Sequence, residues 1–204
     1  PSISADGRFV AFRSEATNLV PGDTNAKADV FVRDLRLKTT VRASVKNSGG
    51  GQLNGASSLP TVSDDGVDVV FLSDATNAVD FDLNAKSDVF VRNLNAGCTE
   101  IASVTSSEVG LTSGASSPSM SGNGRYVVFD SDTTQVGSDT NGLRDIFLRD
   151  RVLGSTERVS IASNGDPSDG TSQFPSVSDD GRYVAFQSIA TDLTPATDSI
   201  TDVD

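Results

Sequence analysis

A short motif recurs four times along the 204-residue chain, and this repetition constrains the fold more than any other feature. The copies begin at Pro1, Pro60, Pro118 and Pro175, and they read PSISADGRFVAFRS, PTVSDDGVDVVFLS, PSMSGNGRYVVFDS and PSVSDDGRYVAFQS. Their starts are therefore 59, 58 and 57 residues apart. A regular period of this length is typical of architectures that repeat one supersecondary unit.

Two further blocks repeat behind this motif. The first block reads DTNAKADVFVRDL from Asp23, DLNAKSDVFVRNL from Asp82 and DTNGLRDIFLRDR from Asp139. The second is looser and reads TTVRASV from Thr39, CTEIASV from Cys98 and STERVSI from Ser155. Each complete unit is therefore predicted to contain four short strands, which we name a to d.

The strands of one unit differ in their apolar pattern. An Asp-Gly or Asn-Gly pair separates strand a from strand b, and such a pair favours a hairpin because glycine accepts positive φ. Strand b is apolar on both faces, as in a strand between two sheets. Strand d alternates through Val41, Ala43 and Val45, which predicts an edge strand with one face in solvent. Since no stretch shows a period of 3.6 residues, we predict no helix.

These units predict an all-β fold, namely a β-propeller of four-stranded antiparallel blades with about 58 residues each. The predicted blades are 1–59, 60–117 and 118–174, with a half blade at 175–204, so that residues 1–204 form a partial propeller. A β-sandwich or a solenoid is the alternative. Because propellers typically have roughly four to eight blades, we expect a piece of a longer propeller or assembly with another chain.

The string Pro-Ser-x-Ser-x-Asp-Gly-Arg-Tyr/Phe-Val-Ala-Phe resembles the TolB-like β-propeller repeat family. The longer form, with Asp-Thr-Asn and Asp-Val-Phe-Val-Arg-Asp, is similar to repeats of large secreted or envelope-associated bacterial proteins. The resemblance covers nearly the whole chain and implies the propeller fold, but it implies no single function, since propellers have many. The chain departs from the pattern at Val67-Asp68 in the second unit and at Ile200 in the fourth, where an Asn is expected.

Composition argues against several classes of function. The chain has no His and one Cys (Cys98), which argues against Ser-His and Cys-His nucleophiles, disulfides and thiolate metal clusters. A formal net charge of −12 opposes binding to nucleic acid or anionic lipid. No apolar run approaches the length of a membrane span. We therefore expect no nucleic-acid partner and no membrane insertion.

The loop between strands b and c carries the most informative polar pattern. Oxygen-bearing side chains occupy relative positions 1, 3 and 7 of each copy, and a backbone carbonyl at position 5 would add a further oxygen. Because Ca²⁺ binds about six to eight oxygens, the pattern predicts a Ca²⁺ site in each loop. The predicted ligands are Asp23, Asn25, Lys27 and Asp29; Asp82, Asn84, Lys86 and Asp88; and Asp139, Asn141, Leu143 and Asp145. Alternatively, these Asp and Asn side chains only cap turns.

The sequence therefore predicts a non-catalytic propeller module, stabilised by calcium, that serves as a scaffold, in adhesion or in binding. In propellers the b–c and d–a loops share one rim, so a protein or glycan partner is expected there. The expected location is secreted, at the cell surface or in the periplasm, and self-assembly is a further prediction. The alternatives are a part of a propeller hydrolase or lyase, or the accessory propeller of a larger peptidase.

Overall fold

A computed structural model describes residues 1–137, 139 and 141–194. Within these ranges the chain forms β-strands and no helix, as the sequence predicts. Ile200, where the fourth repeat departs from the pattern, lies outside the described residues. The strands are β1 (Ser2–Ile3), β2 (Phe9–Ser14), β3 (Asp29–Asp34), β4 (Thr39–Arg42), β5 (Ser57–Val62), β6 (Asp68–Ser73), β7 (Asp88–Asn93), β8 (Cys98–Ile101), β9 (Ser116–Met120), β10 (Tyr126–Ser131), β11 (Asp145–Asp150), β12 (Ser155–Arg158), β13 (Ser172–Val177) and β14 (Val184–Ser188).

The strands are arranged in antiparallel sheets that follow the chain. Strands β1 to β4, β5 to β8 and β9 to β12 form three four-stranded sheets and are strands a to d of their units in that order, and β13 pairs with β14 in a further sheet. Strand β5 packs against β1 to β3 of the sheet before it, and β9 packs against β5 to β7. The predicted β-propeller, with three complete blades and the first strands of a fourth, is confirmed; we number the blades in chain order.

The core lies between successive blades. One apolar cluster joins the first blade to the second through Val30, Val32, Val69 and Phe71, and another joins the second blade to the third. Both faces of strand b are buried in the second blade, where Val69, Val70 and Phe71 are inaccessible to solvent. The prediction that strand b lies between two sheets is therefore confirmed for this blade.

Strand d is shorter than its alternating pattern predicts. Strand β4 ends at Arg42, and the N–H groups of Ala43 and Ser44 then both point to the carbonyl of Val30, at 2.8 and 3.3 Å. This double contact ends the regular ladder, so Val45 lies beyond the strand. Ala43 and Val45 are buried while Val41 is exposed. The expected edge strand through Val45 is therefore wrong in its length.

The glycine of the a–b hairpin also sets the spacing between blades. Gly66 has a φ of +72°, and a Cβ placed there would lie 2.3 Å from the ring of Phe9 in the preceding blade. Gly181 has the same φ, and a Cβ there would lie 2.4 Å from the ring of Tyr126. Only glycine therefore permits both the turn and this close approach.

Candidate binding site on the loop rim

The b–c and d–a loops meet on one rim, where an Asn of the b–c loop fastens them together. Asn25 Nδ2 donates to the carbonyl of Leu53 at 3.2 Å. The equivalent bonds run from Asn84 Nδ2 to the carbonyl of Leu111 at 2.6 Å, and from Asn141 Nδ2 to that of Ser168 at 2.7 Å. The rim expected from the sequence thus exists in all three complete blades.

The same Asn side chain also caps a turn. Its Oδ1 accepts the N–H of the residue two positions later, at 3.0 Å for Lys27, 2.7 Å for Lys86 and 2.7 Å for Leu143. These bonds are those of the turn-capping alternative. The N–H of the residue at position 5 is therefore used in the turn, whereas the predicted calcium site would use its carbonyl. Calcium binding stays a prediction.

The last Asp of each loop is fully buried at the start of strand c. A Ser on the strand d side donates to its Oδ1, and the same Ser oxygen accepts a backbone N–H of strand c. The Ser-to-Asp bonds are Ser44 to Asp29 at 2.6 Å, Ser103 to Asp88 at 2.7 Å and Ser160 to Asp145 at 2.6 Å. All three blades therefore hold a buried carboxylate in the same way.

In the first blade an arginine of strand d reaches the two loop carboxylates. Arg42 Nη1 lies 3.3 Å from Asp23 Oδ1 and 3.3 Å from Asp29 Oδ2. The guanidinium also donates to Gln52 Oε1 at 3.2 Å, while Asp23 Oδ1 has this ion pair but no hydrogen bond. In this loop Arg42 therefore supplies a positive charge beside two of the predicted Ca²⁺ ligands.

The third blade repeats this arrangement. Arg158 Nη1 lies 3.2 Å from Asp139 Oδ1 and 3.2 Å from Asp145 Oδ2. Burial raises the pKa of Asp145, and Arg158 opposes that rise. In both blades the arginine and its two carboxylates are almost inaccessible to solvent. These loops therefore contain internally compensated, buried ion pairs.

Sequence reasoning overlooked these arginines, although the third repeated block contained the signal. Its fourth position is Arg42 in TTVRASV and Arg158 in STERVSI, but Ile101 in CTEIASV. Each of these residues lies opposite the central Phe of strand c in the ladder. The second blade therefore lacks the cation that its neighbours possess.

The carboxylates of the second blade are buried without this compensation. Asp82 is 7% exposed, and neither of its oxygens has a hydrogen-bond partner. Burial raises its pKa, and the N–H of Asn84 opposes the rise without forming a hydrogen bond. Burial also raises the pKa of Asp88 to about 6, against the hydrogen bonds from Ser103 and Asn84, and the charge of Asp82 adds to the rise.

A pocket of about 450 Å³ opens beside Asp82. Ile101 and Gly110 line it, and Phe81 and Leu83 stand at its edge with exposed fractions of 83% and 87%. Gly110 is the equivalent of Gln52 in the first blade, since Gly110 forms a β-bridge with Val104 as Gln52 does with Val45. A Cβ at Gly110 would meet no atom within 4 Å, so this position is open. The pocket thus exists where the second blade lacks both an Arg and a Gln.

Two features are absent from the part of the chain that the structure describes. No group of three or more Cys, Asp and Glu side chains among residues 1–137, 139 and 141–194 is arranged to hold a metal ion. Within the same ranges, no helix has the length and hydropathy needed to cross a bilayer.

The fold is that of a β-propeller, and it is similar to solved structures of TolB and of other propellers. TolB from Acinetobacter baumannii is similar with a TM-score of 0.52 and 19% identity, over 92% of this chain and 36% of that one. A protein assigned as TolB from Agrobacterium tumefaciens has a TM-score of 0.57 and 17% identity, over 91% of this chain and 52% of that one. The β-propeller domain of the Trilobed protease from Pyrococcus furiosus has a TM-score of 0.51 and 10% identity, over 92% of this chain and 47% of that one.

These likenesses concern the fold. The chain spans between about a third and a half of the three solved structures. No protein-family model matches the sequence, and no curated protein matches it either.

Proposed function

We propose that this chain is part of a non-catalytic β-propeller that binds a protein partner through the pocket of its second blade. The observation that carries the proposal is the buried, unpartnered carboxylate of Asp82 at a pocket edged by the exposed side chains of Phe81 and Leu83. A buried charge without a partner is unfavourable, so a positive group that enters the pocket would be stabilised. Exposed apolar side chains beside it would be covered by the same partner.

A protein fits this pocket better than a neutral glycan. The unpartnered group is an acid, which calls for a positive charge that neutral sugars lack. Leu83 and Val109 add aliphatic surface that suits the side chains of a peptide. We therefore give preference to a peptide segment over the glycan that the sequence also allowed.

A catalytic role has less support. A hydrolase or lyase would use a second free acid or a nucleophile in the pocket. Glu108 lines the pocket, but it is ion-paired with Arg149, and the sequence has no His. An accessory propeller of a larger peptidase remains compatible with the proposal, since such a domain would also act by binding.

The proposed location is secreted, at the cell surface or in the periplasm. The formal net charge of −12 and the single Cys are compatible with each of these sites. Calcium is retained as an alternative occupant of the second loop only, because Arg42 and Arg158 already contact both carboxylates in the other two. Self-assembly stays a prediction.

An array of immobilised peptides with varied sequences tests the proposal. Peptides that bind the unaltered chain should lose binding to the double variant Phe81→Ala, Leu83→Ala, which removes the apolar edge. The matched control is Val152→Ala, Leu153→Ala, at two exposed apolar residues in the turn between β11 and β12. Peptides that bind all three proteins equally, or no bound peptide at all, would contradict the proposal.

A further inference from the structure

The second blade has the two loop carboxylates but lacks the arginine that pairs with them in the first and third blades. Building on the proposed binding function, we propose that its pocket receives the guanidinium group of an arginine side chain from the partner protein. In this view the first and third blades show, with Arg42 and Arg158, how the bound group is held.

The last Asp of the loop is held alike in the first and second blades. Ser103 donates to Asp88 Oδ1 at 2.7 Å, as Ser44 does to Asp29 at 2.6 Å. Asn84 Nδ2 donates to Asp88 Oδ2 at 2.7 Å, and the corresponding bond of the first blade measures 3.2 Å. The carboxylates are therefore held ready for a guanidinium in both places.

In the second blade Ile101 stands in the place of the arginine, and Gly110 leaves open space in the place of Gln52. Gln52 Oε1 accepts the N–H groups of Thr24 and Asn25 and a hydrogen bond from Arg42, so it closes the first loop. Gly110 in the equivalent place has no side chain, and open space lies where a Cβ would stand. A volume of about 450 Å³ is within the range of small-ligand sites, of order 300–1,000 Å³.

The pocket edge suits the stem of an arginine. Its aliphatic carbons can lie along apolar surface while the charged end reaches a polar group. Phe81, Leu83 and Val109 provide that surface, and all three are exposed. Asp82 lines the same pocket, and its two buried oxygens have no hydrogen-bond partner that a guanidinium would have to displace.

The chemistry favours a guanidinium over a calcium ion. Ca²⁺ needs about six to eight oxygens, and Glu108, the other acid that lines the pocket, is already ion-paired with Arg149. The Nδ2 of Asn84 stands beside Asp88 Oδ2, so a donor occupies a place where an ion would need an acceptor. A guanidinium instead offers five N–H donors in a planar fork that can bridge two carboxylates.

Isothermal titration calorimetry with three capped peptides tests this assignment. The probes are acetylated and amidated Leu-Arg-Leu, Leu-Lys-Leu and Leu-citrulline-Leu, where citrulline keeps the shape of arginine without its charge. We expect the arginine peptide to bind once per chain and the citrulline peptide to bind at least about tenfold more weakly. The lysine peptide should fall between them. Equal affinity for the arginine and citrulline peptides would overturn the assignment.

Two variants connect the binding to the pocket. Ile101→Arg should weaken binding of the arginine peptide at least about tenfold, because the chain then supplies its own guanidinium as in the neighbouring blades. Asp82→Asn should weaken it to a similar degree without adding bulk. Val152→Arg adds the same charge in the turn between β11 and β12 and should leave binding unchanged. Circular dichroism checks that each variant is folded, and binding by folded Ile101→Arg like that of the unaltered chain would contradict the proposal.

The outcomes separate this inference from the proposed function. If CaCl₂ alone gives a binding signal that Asp82→Asn abolishes, and the arginine peptide gives none, the site is an ion site and the inference fails. If array peptides bind through Phe81 and Leu83 whether or not they contain arginine, the inference fails while the proposed function stands. If no peptide binds, both fail.

Discussion

In the first blade the carboxylates of Asp23 and Asp29 share the guanidinium of Arg42. In the second blade Asp82 lines a pocket with Ile101, and the charge of Asp82 acts on Asp88 without a cation between them. The two loops otherwise agree in their Asn-capped turn and in the Ser that holds the buried Asp. The missing cation is therefore a difference in strand d and the d–a loop, while the b–c loop adds Phe81 and Leu83 at the edge of the pocket.

In the first and third blades the repeated loop pattern holds an arginine of the same chain. Where the chain supplies the charge, the loop is a closed structural unit. Where it does not, burial works against the ionised carboxylates, and a pocket opens beside them. The second blade, where Ile101 replaces the arginine, is therefore the blade that indicates a binding function.

Removal of an internal guanidinium should have the largest effect on stability. Arg158→Ile leaves Asp139 and Asp145 buried without compensation, and we expect the free energy of unfolding to fall by about 3–5 kcal/mol. Urea unfolding measures the change. As a control, Arg13→Ala breaks the exposed pair with Glu15 and should cost less than about 1 kcal/mol. Equal effects would show that the buried pair is not what closes the loop.

Insertion of the missing charge should act in the opposite direction. Ile101→Arg places a guanidinium near Asp82 and Asp88 but removes apolar contacts with the adjacent core cluster. Because relief of two buried charges outweighs this partial loss, we expect a net gain of about 1 kcal/mol near neutral pH. Ile101→Gln is the matched uncharged control and should not stabilise. A loss of stability in Ile101→Arg would mean that the two blades are not equivalent receptors.

The gain from Ile101→Arg should depend on pH. The pKa of Asp88 is raised from 3.8 to about 6, so its contribution favours folding at low pH and is lost as the pH rises through about 6. The added guanidinium would lower that pKa, so the advantage over the unaltered chain should be greatest above about pH 6 and shrink toward about pH 4. Asp34 and Asp150, whose pKa values Arg8 and Arg125 lower to about 2, behave alike in both proteins.

Chemical unfolding of both proteins across this pH range makes the measurement. A stability difference that stays constant from about pH 4 to pH 7 would show that the carboxylate of Asp88 does not sense residue 101.

Calcium should have the smallest effect. With only two carboxylates near one another in the second loop, we expect millimolar CaCl₂ to change the melting temperature by about 1 °C or less. Asp82→Asn serves as the control, since it removes the free acid. A rise of several degrees that this variant abolishes would instead support the calcium site that the loop pattern predicts.

The fold was predictable from local chemistry. The Asp-Gly and Asn-Gly turns, the strand b segments with apolar residues on both faces and the regular period each predict the same four-stranded blade. Such features act within a few residues, so one sequence suffices to read them. The structure confirms the propeller that these features predict.

The candidate site was predictable only in part. The loop pattern drew attention to Asp82 and Asp88, and the shared rim was expected. Whether a given carboxylate already has a partner depends on Arg42, Ile101 and Gly110, which lie on other segments of the same blade. Charge compensation between buried groups acts over a few ångströms in space rather than along the chain.

The sequence by itself therefore determined the blade, its turns and the acidic loop of the three complete repeats, because those depend on near neighbours in the chain. Only the tertiary structure decided which loop is closed by its own arginine and which is open beside Asp82. The physical reason is that burial and ion pairing are properties of the packed rim, where side chains from strand d and the d–a loop meet the b–c loop.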